Sequence, residues 1–350
     1  MPKSVLGCRP MSEQTDSRAR IHMGHGSGGR ATGRLIQELF VKHLHNERLD
    51  PLDDGALLDL SGSLAMSTDA FVVDPIFFPG GDIGKLAVCG TVNDVAMCGA
   101  VPRALSAAFI LEEGLLLEDL ERIARSMGAQ AREAGVEVVT GDTKVVPRGH
   151  ADGVYVTTAG VGERIEGVRL GGALARPGDV IMVSGPLGDH GAAIMAVRAG
   201  IDLEGDLRSD CASVAGAVVR LLQAVPGVHV LRDPTRGGLA SVVVEIAEAS
   251  KVGVELEETA IPVSEATLAA CEILGLDPLS LACEGRFVAI LPAELEDAAC
   301  QALSEEAVAS GLCRIGRVVD DHPGKVVLRT QIGGTRLVDQ AEGELLPRIC

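Results

Sequence analysis

Apolar residues recur every three or four positions along some stretches of this chain and every second position along others, and the two periods set out its elements. Leu35, Ile36, Leu39 and Phe40 share one face of a helix over residues 31–45. Short strands are expected at 56–60, 64–68 and 71–73. A helix pattern fills 83–98, a strand follows at 104–111, and an amphipathic helix over 117–134 is closed by Gly135. Strands return at 136–140 and 154–161. Residues 170–178, with Gly171, Gly172 and Pro177, read as a linker. Beyond it come a strand at 180–184, helices at 191–199 and 212–224, a strand at 228–231 and a helix at 238–249. A helix at 265–274, a strand at 287–291, a helix at 294–309 and strands at 313–319 and 325–329 complete the pattern. Two halves that each mix hairpin-like strands with helices fit two α+β domains, over 21–169 and 170–339, better than one doubly wound sheet. Residues 1–20 are polar and aperiodic and read as a disordered extension or an upstream start, with Met11 or Met23 as alternative starts.

Composition narrows the function. The 350 residues are 47% hydrophobic and contain 43 Gly, which calls for packed globular domains rather than disorder. There is no Trp and one Tyr, so the cores are aliphatic and single-stranded nucleic acid would find no stacking platform. A formal net charge of -18 repels a phosphate backbone and argues against general nucleic-acid binding. The nine Cys lack disulfide or zinc spacing, and Cys89, Cys98, Cys211 and Cys271 sit in apolar helix-like stretches as small core residues. That usage favours a reducing cytoplasm. No signal-peptide stretch opens the chain, and no apolar run approaches the ~20 residues of a membrane span.

Gly24–Gly29 matches G-x-G-x-x-G, but the charged segment before it is not a strand, so a dinucleotide fold is rejected. A Gly-rich stretch entering a helix reads either as a phosphate clamp, through free N–H groups in the first turn, or as a flexible loop. Residues 80–85 lack the spacing of a P-loop. Asp53-Asp54, Asp69, Asn93-Asp94 and Asp142 stand at strand ends or inside an apolar helix, where these residues have poor propensity. Each alone serves as a cap or turn residue. Together they suggest a shared acidic cluster that needs a hard cation such as Mg²⁺ to fill it. Lys144, beside Asp142, either meets a phosphate or is a solvated loop lysine. Gly188–Gly191, including His190, and Asp233–Gly238 each join a strand to a helix. They read as helix-start binding loops or as ordinary capped turns. Glu284 is a base or an ion-pair partner. Cys350 closes the sequence on the tail 340–350, where a mobile thiol can carry an acyl-type group between sites.

In order along the chain, Gly24–Gly29, Asp53–Ala56, Ser67–Asp69, Phe78–Lys85, Asn93-Asp94, Gly141–Val146, Gly188–Gly191, Asp233–Gly238 and Pro347–Cys350 resemble the HypE hydrogenase-maturation family of the PurM-like ATP-binding superfamily. The likeness runs from about residue 22 to the final residue, and the closing Pro-Arg-Ile-Cys is its most specific element. It implies a two-domain PurM-like fold, α+β with α/β layers. The N-terminal domain pairs its sheet across a homodimer, and ATP lies near the acidic cluster. It also implies that Cys350 receives a carbamoyl group from HypF. ATP-dependent dehydration then turns the S-carboxamide into an S-cyanide, which passes to iron on the HypC–HypD complex. On that reading Asp54, Asp69, Asp94 and Asp142 hold Mg²⁺, and His25, Gly26, Gly28, Gly29, Lys85, Asn93 and Thr143 bind the nucleotide. Lys144 supplies positive charge near the carboxamide, and Glu284, or less readily His190, takes the nitrogen protons. The terminal carboxylate disfavours the Cys350 thiolate and Arg348 offsets it in part. Glu342-Gly343-Glu344 reads as the tail's hinge. Rival readings are another PurM-like enzyme (an aminoimidazole ribonucleotide synthetase, a thiamine phosphate kinase or a selenophosphate synthetase) and a non-enzymatic docking scaffold. Neither accounts for the acidic positions, Lys144 and Pro347–Cys350 together.

Overall fold

The helix expected at 31–45 runs from Arg30 to Leu44 as α1 (Arg30–Leu35), a wider π-type stretch (Ile36–Val41) and α2 (Lys42–Leu44). Leu35, Leu39, Phe40 and Leu44 are its buried face. In this computed structural model, which describes residues 19–201, 206–340 and 346–350, no strand forms at 56–60, and Leu57 there is 94% exposed. Its alternating pattern meets no sheet edge among the described residues. The strands expected at 64–68 and 71–73 merge into one, β1 (Leu64–Phe71). Ala19 and Arg20, at the end of the segment expected to be an extension, are held against residues 115–117: Leu117 N–H donates to the Ala19 carbonyl at 3.0 Å, and Arg20 bridges Leu116.

A small hairpin, β2 (Phe77–Phe78) and β3 (Gly81–Asp82), leads into α3 (Ile83–Met97). Asp82 caps α3 by accepting from the Gly84 and Lys85 N–H groups at 2.8 and 3.1 Å. Of the 15 residues of α3, 13 are buried, which is why its sequence is apolar on every side. Then come β4 (Ala100–Glu112), α4 (Leu117–Ala134), β5 (Glu137–Val146) and β6 (Val154–Arg164). Gly135, at φ 70°, closes α4 in the left-handed conformation that only glycine adopts without strain. The strands order as β1-β6-β4-β5, with β4 and β5 parallel and the other pairs antiparallel. α3 packs on this sheet and against α4, so closely that a Cβ on Gly84 would lie 2.3 Å from the Ile123 carbonyl oxygen.

No regular element occupies residues 170–178. After them come β7 (Asp179–Val183), α5 (Asp189–Arg198), α6 (Ala215–Ala224), β8 (Val230–Arg232), α7 (Gly238–Ser250), β9 (Gly253–Glu257), α8 (Glu265–Leu274), β10 (Val288–Pro292), α9 (Glu296–Leu303), β11 (Cys313–Val319), β12 (Val326–Arg329) and β13 (Thr335–Val338). They build a seven-stranded sheet, β13-β12-β9-β11-β7-β10-β8, in which β12 and β9 are the parallel pair. β9 and β13 were not expected from the pattern. α6 packs against α3, so one core cluster runs from the first sheet into the second half of the chain. Among the described residues no helix is long and apolar enough to cross a membrane.

Register fixes which face of the four-stranded sheet each acidic residue occupies. Asp69 lies opposite Thr158, which lies opposite Ala107, which lies opposite Gly141. The next row is Ala70, Thr157, Ala108 and Asp142. Directly paired residues share a face and successive residues alternate. Asp69 therefore faces α3, and Asp142 faces away from it. Leu64, Met66 and Ile110, on that second face, are 50%, 73% and 41% exposed.

Candidate active site

The end of the chain folds back onto the stretch that follows β1. Val72 N–H donates to the Cys350 carbonyl at 3.1 Å and Asp74 N–H to the Arg348 carbonyl at 3.2 Å. Arg198, near the end of α5, donates to the Pro347 carbonyl at 2.6 Å and also to the Arg348 carbonyl. His190, in the first turn of α5, contacts the Ile349 carbonyl through Nε2 at 2.8 Å. Ile349 is buried. The proposed hinge, Glu342-Gly343-Glu344, lies outside the described residues.

This puts the Cys350 sulfur in a half-buried place between the two halves of the chain. Arg236, from the turn before α7, hydrogen-bonds it. Burial and the nearby Glu284 carboxyl push the thiol up to about 11, and Arg236 opposes them. Glu284 is itself buried, its Oε1 has no hydrogen-bond partner among the described residues, and burial holds its carboxyl well above the usual range. Arg348, expected to offset the terminal carboxylate, turns the other way: its guanidinium lies 3.0 Å from Asp152 and 3.6 Å from Asp74. The counter-charge at the thiol comes from Arg236, which lies near it in space and far from it in sequence.

Next to the thiol is a group of carboxylates. Asp69 accepts from Thr91 at 2.8 Å, and Asp94 accepts from Ser67 at 2.6 Å, so each is oriented by a hydroxyl across the β1–α3 contact. Burial and Asp94 raise Asp69. Burial, then Asp94, raises Asp233 to about 7. Asp69, Asp94 and Asp233 therefore repel one another, the condition that a divalent cation relieves, and their oxygens are the hard donors Mg²⁺ prefers. Within the single chain they do not converge as a ready-made site: among the described residues no three His, Cys, Asp or Glu groups are close enough to hold a metal ion.

The four-carboxylate cluster expected from the sequence is thus not assembled in one chain. Asp69 and Asp94 come together, joined by Asp233, which the sequence offers as part of a helix-start loop or capped turn and not as a metal ligand. Asp142 lies on the opposite face of the sheet, paired with Lys144 at 2.9 Å, which lowers its proton affinity. Lys144 is likewise exposed there, away from Cys350. Asp54 lies in the connection before β1 and is exposed.

The nucleotide candidates divide as well. Gly26 packs where a Cβ would lie 2.5 Å from the Val145 nitrogen, and His25 stacks on His22 at 3.8 Å. Gly28 and Gly29 face open space. Thr143, buried on β5, lines a cavity of about 190 Å³ with Ile36, Phe40, Phe109, Asp53 and Asp142. Lys85 donates to the Gly80 carbonyl at 3.2 Å. Asn93 spends its whole amide inside the protein, on Ala212, Val214 and Glu284.

His190 does not have a base's freedom. It is fully buried, its Nδ1 lies 2.7 Å from Ser209 Oγ, and burial lowers it to about 4. Both ring nitrogens are engaged, one on Ser209 and one on the tail's Ile349 carbonyl. The residues that sequence reasoning missed are Arg198, Ser209, Arg236 and Asp210, which accepts the Glu284 N–H at 3.0 Å. Only Arg236 carried a local signal, as part of the Asp233–Gly238 turn.

Two family models match the chain: AIR synthase related protein, N-terminal domain, over residues 52–164, and the C-terminal domain over 176–329. The chain is 53% identical over 331 residues to carbamoyl dehydratase HypE of Azotobacter vinelandii, covering 94% of this chain and 97% of that one. A crystal structure of hydrogenase maturation protein HypE in complex with ATP superposes with a TM-score of 0.91 at 52% identity, covering 94% of this chain and 99% of that one. A chain from the HypE–HypF complex structure superposes with a TM-score of 0.78 at 43% identity, covering 88% and 99%.

Proposed function

The chain belongs to the HypE family of carbamoyl dehydratases in hydrogenase maturation, and from that premise we propose that it dehydrates a carboxamide carried on its own Cys350. The observation that carries this reading is the docked tail, which sets the Cys350 sulfur among Arg236, Glu284 and the Asp69 region. A thiol with a proton affinity near 11 is a poor nucleophile, so the docked tail is suited to transforming a group already on sulfur. Loading needs the tail outside.

The reaction starts from R–S–C(=O)–NH₂. The carboxamide oxygen attacks the γ-phosphorus of ATP, ADP leaves, and one nitrogen proton is lost. Loss of the second nitrogen proton expels phosphate and leaves R–S–C≡N. The balance is carboxamide plus ATP to cyanide, ADP and phosphate, with the carboxamide oxygen ending in phosphate. Arg236, already on the sulfur, steadies the negative charge that develops next to it. Glu284 is the acceptor for the nitrogen protons. Burial raises its carboxyl and favours the protonated form, which can donate to the carboxamide oxygen, and cationic charge entering the cleft favours the base form. Asp69, Asp94 and Asp233, which do not form a metal site by themselves, would hold Mg²⁺ together with the phosphate oxygens of ATP, and the ion would spread the charge of the transferring phosphoryl group. Gly28, Gly29 and the Thr143 cavity are the candidates for the rest of the nucleotide.

The partners follow from the same reading: HypF as carbamoyl donor, a HypC–HypD complex as cyanide acceptor, and a second copy of the chain. The exposed face of the four-stranded sheet carries Leu64, Met66 and Ile110 and supports pairing there. Asp142 and Asp54 as metal ligands, and Lys144 beside the carboxamide, would join this site only through that pairing. The site of action is the cytoplasm, where thiols stay reduced. The test is intact-protein mass spectrometry after incubation with HypF, carbamoyl phosphate and ATP. A carboxamide adduct on Cys350 that loses one water is expected. An adduct that stays unchanged with MgATP overturns the reading.

A further inference from the structure

The main-chain oxygens of the last four residues are all held, each by a donor from elsewhere in the fold. Arg198 takes Pro347. Arg198 and Asp74 N–H take Arg348. His190 takes Ile349, and Val72 N–H takes Cys350. Arg198 also donates to the Asp74 carbonyl at 2.6 Å, so the same guanidinium ties the tail to the strand segment beside it.

The hydrogen-bond network fixes the state of the His190 ring. A carbonyl can only accept, so Nε2 carries the proton and donates to Ile349. In the neutral ring Nδ1 is bare and accepts from the Ser209 hydroxyl, whose oxygen also receives the Cys211 N–H at 3.0 Å. The Phe78 ring stands edge-on to the imidazole at 5.4 Å and closes the remaining side. A fully buried imidazole with one defined tautomer, whose single donor points at the residue before the thiol, is more than core filling requires. An aliphatic side chain would fill the space without having a polar ring to satisfy.

We propose that His190 is a positioning residue of the dehydration step: through the Ile349 carbonyl, and with Arg198, it sets the register in which the Cys350 sulfur meets Glu284 and Arg236. The grip measures length along the tail. A shift of one residue would break every one of these main-chain contacts at once. This inference rests on the carrier reading above.

The experiment uses the full chain as parent, His190→Gln, His190→Phe and Arg198→Gln. The first readout is the rate of maleimide modification at Cys350, assigned by peptide mass spectrometry. The second is single-turnover dehydration of the carbamoylated protein at varied ATP. His190→Phe keeps the ring's bulk and loses the donor. It should label about 10-fold faster and dehydrate about 10-fold more slowly, the change expected for one buried hydrogen bond, with the KM for ATP unchanged. His190→Gln keeps a donor at the Nε2 position and should return to within about threefold of the parent. Parent-like rates in His190→Phe, or equal losses in the Gln and Phe variants, overturn the proposal. Should His190→Phe fail to fold, Arg198→Gln decides. It removes donors from two tail carbonyls and should speed labelling and slow dehydration in the same way, and parent-like rates there overturn the latch. A parent that never converts its carboxamide would instead sink the carrier reading itself.

Discussion

Asn93 donates through its side-chain amide to the main-chain carbonyl of Glu284, 3.3 Å away and 191 positions along the chain. The same nitrogen donates to Ala212 at 3.0 Å, and its oxygen receives the Val214 N–H at 2.8 Å. One amide on α3 therefore rivets the first half of the chain to the segment that carries the proposed base. Asn93→Ala should cost about 2–3 kcal/mol in urea unfolding, because it strands the Ala212 carbonyl and the Val214 N–H, while the Glu284 carbonyl keeps the Ala212 N–H at 3.3 Å. Full stability in that variant would contradict the rivet.

Cys350→Ala should leave the fold and ATP binding nearly intact. The thiol is one atom on a segment held by its main chain, and its loss leaves the carbonyl grip in place. Melting temperature should move by no more than a few degrees, while carbamoyl transfer and cyanide formation vanish. Protein-bound cyanide in this variant would refute the carrier role.

Asp69→Asn and Asp94→Asn should each weaken MgATP binding at least about 10-fold, since each removes an anion from the proposed metal ligands. Stability without magnesium should hold or rise, because Asp69 is already disfavoured as an anion by burial and by Asp94. Calorimetric titration with and without magnesium tests both statements. Parent-like MgATP binding in both variants would reject the metal assignment.

His190 gives a pH signature. Its folded proton affinity lies near 4 against an ordinary value of 6.5, so the folded chain binds fewer protons than the unfolded one between those values. Its contribution is complete above pH 6.5 and is lost as the pH falls toward 4. Asp210, raised to about 6 by burial, works in the opposite sense, losing its contribution as the pH rises through 6. A difference measurement separates them. The stability gap between the parent and His190→Gln should shift against the parent by about 2 kcal/mol from pH 7 to pH 5. A pH-independent gap would mean the ring is not buried neutral.

The chain should be a homodimer by light scattering at micromolar concentration, and Met66→Glu should make it a monomer by placing a charge in the middle of the pairing face. A parent that scatters as a monomer would exclude this use of the sheet.

Helices were the most legible part of the sequence. The boundaries of α4 and α8 could be read directly, because a capping signal and a 3.6-residue period coincide there. β9 was lost although Val254 and Leu256 alternate with Glu255 and Glu257, since it starts two residues after α7 ends and looks like a continuation of that helix. The stretch 56–60 misled in the other direction: a strand pattern needs a partner, and the described residues offer none. The candidate residues were legible one by one, and their grouping was not. Asp69 and Asp142 differ by one row of the sheet, and that row decides which face each serves. Nothing local in the sequence says that Arg198 or Ser209 meets the tail, because that meeting is set by how the two halves of the chain pack.

A tail bound to its own protein competes with any free ligand at an effective concentration of roughly millimolar. A synthetic peptide of residues 346–350 should therefore bind the intact protein hardly at all, however well it fits. A chain shortened before residue 346 turns the same groove into an open receptor, and there the pentapeptide should bind measurably and, if carbamoylated, be dehydrated in trans. The carbamoyl donor faces the same arithmetic. It has to capture the tail during the fraction of time that the tail is out, so its loading rate reports how often the groove lets go.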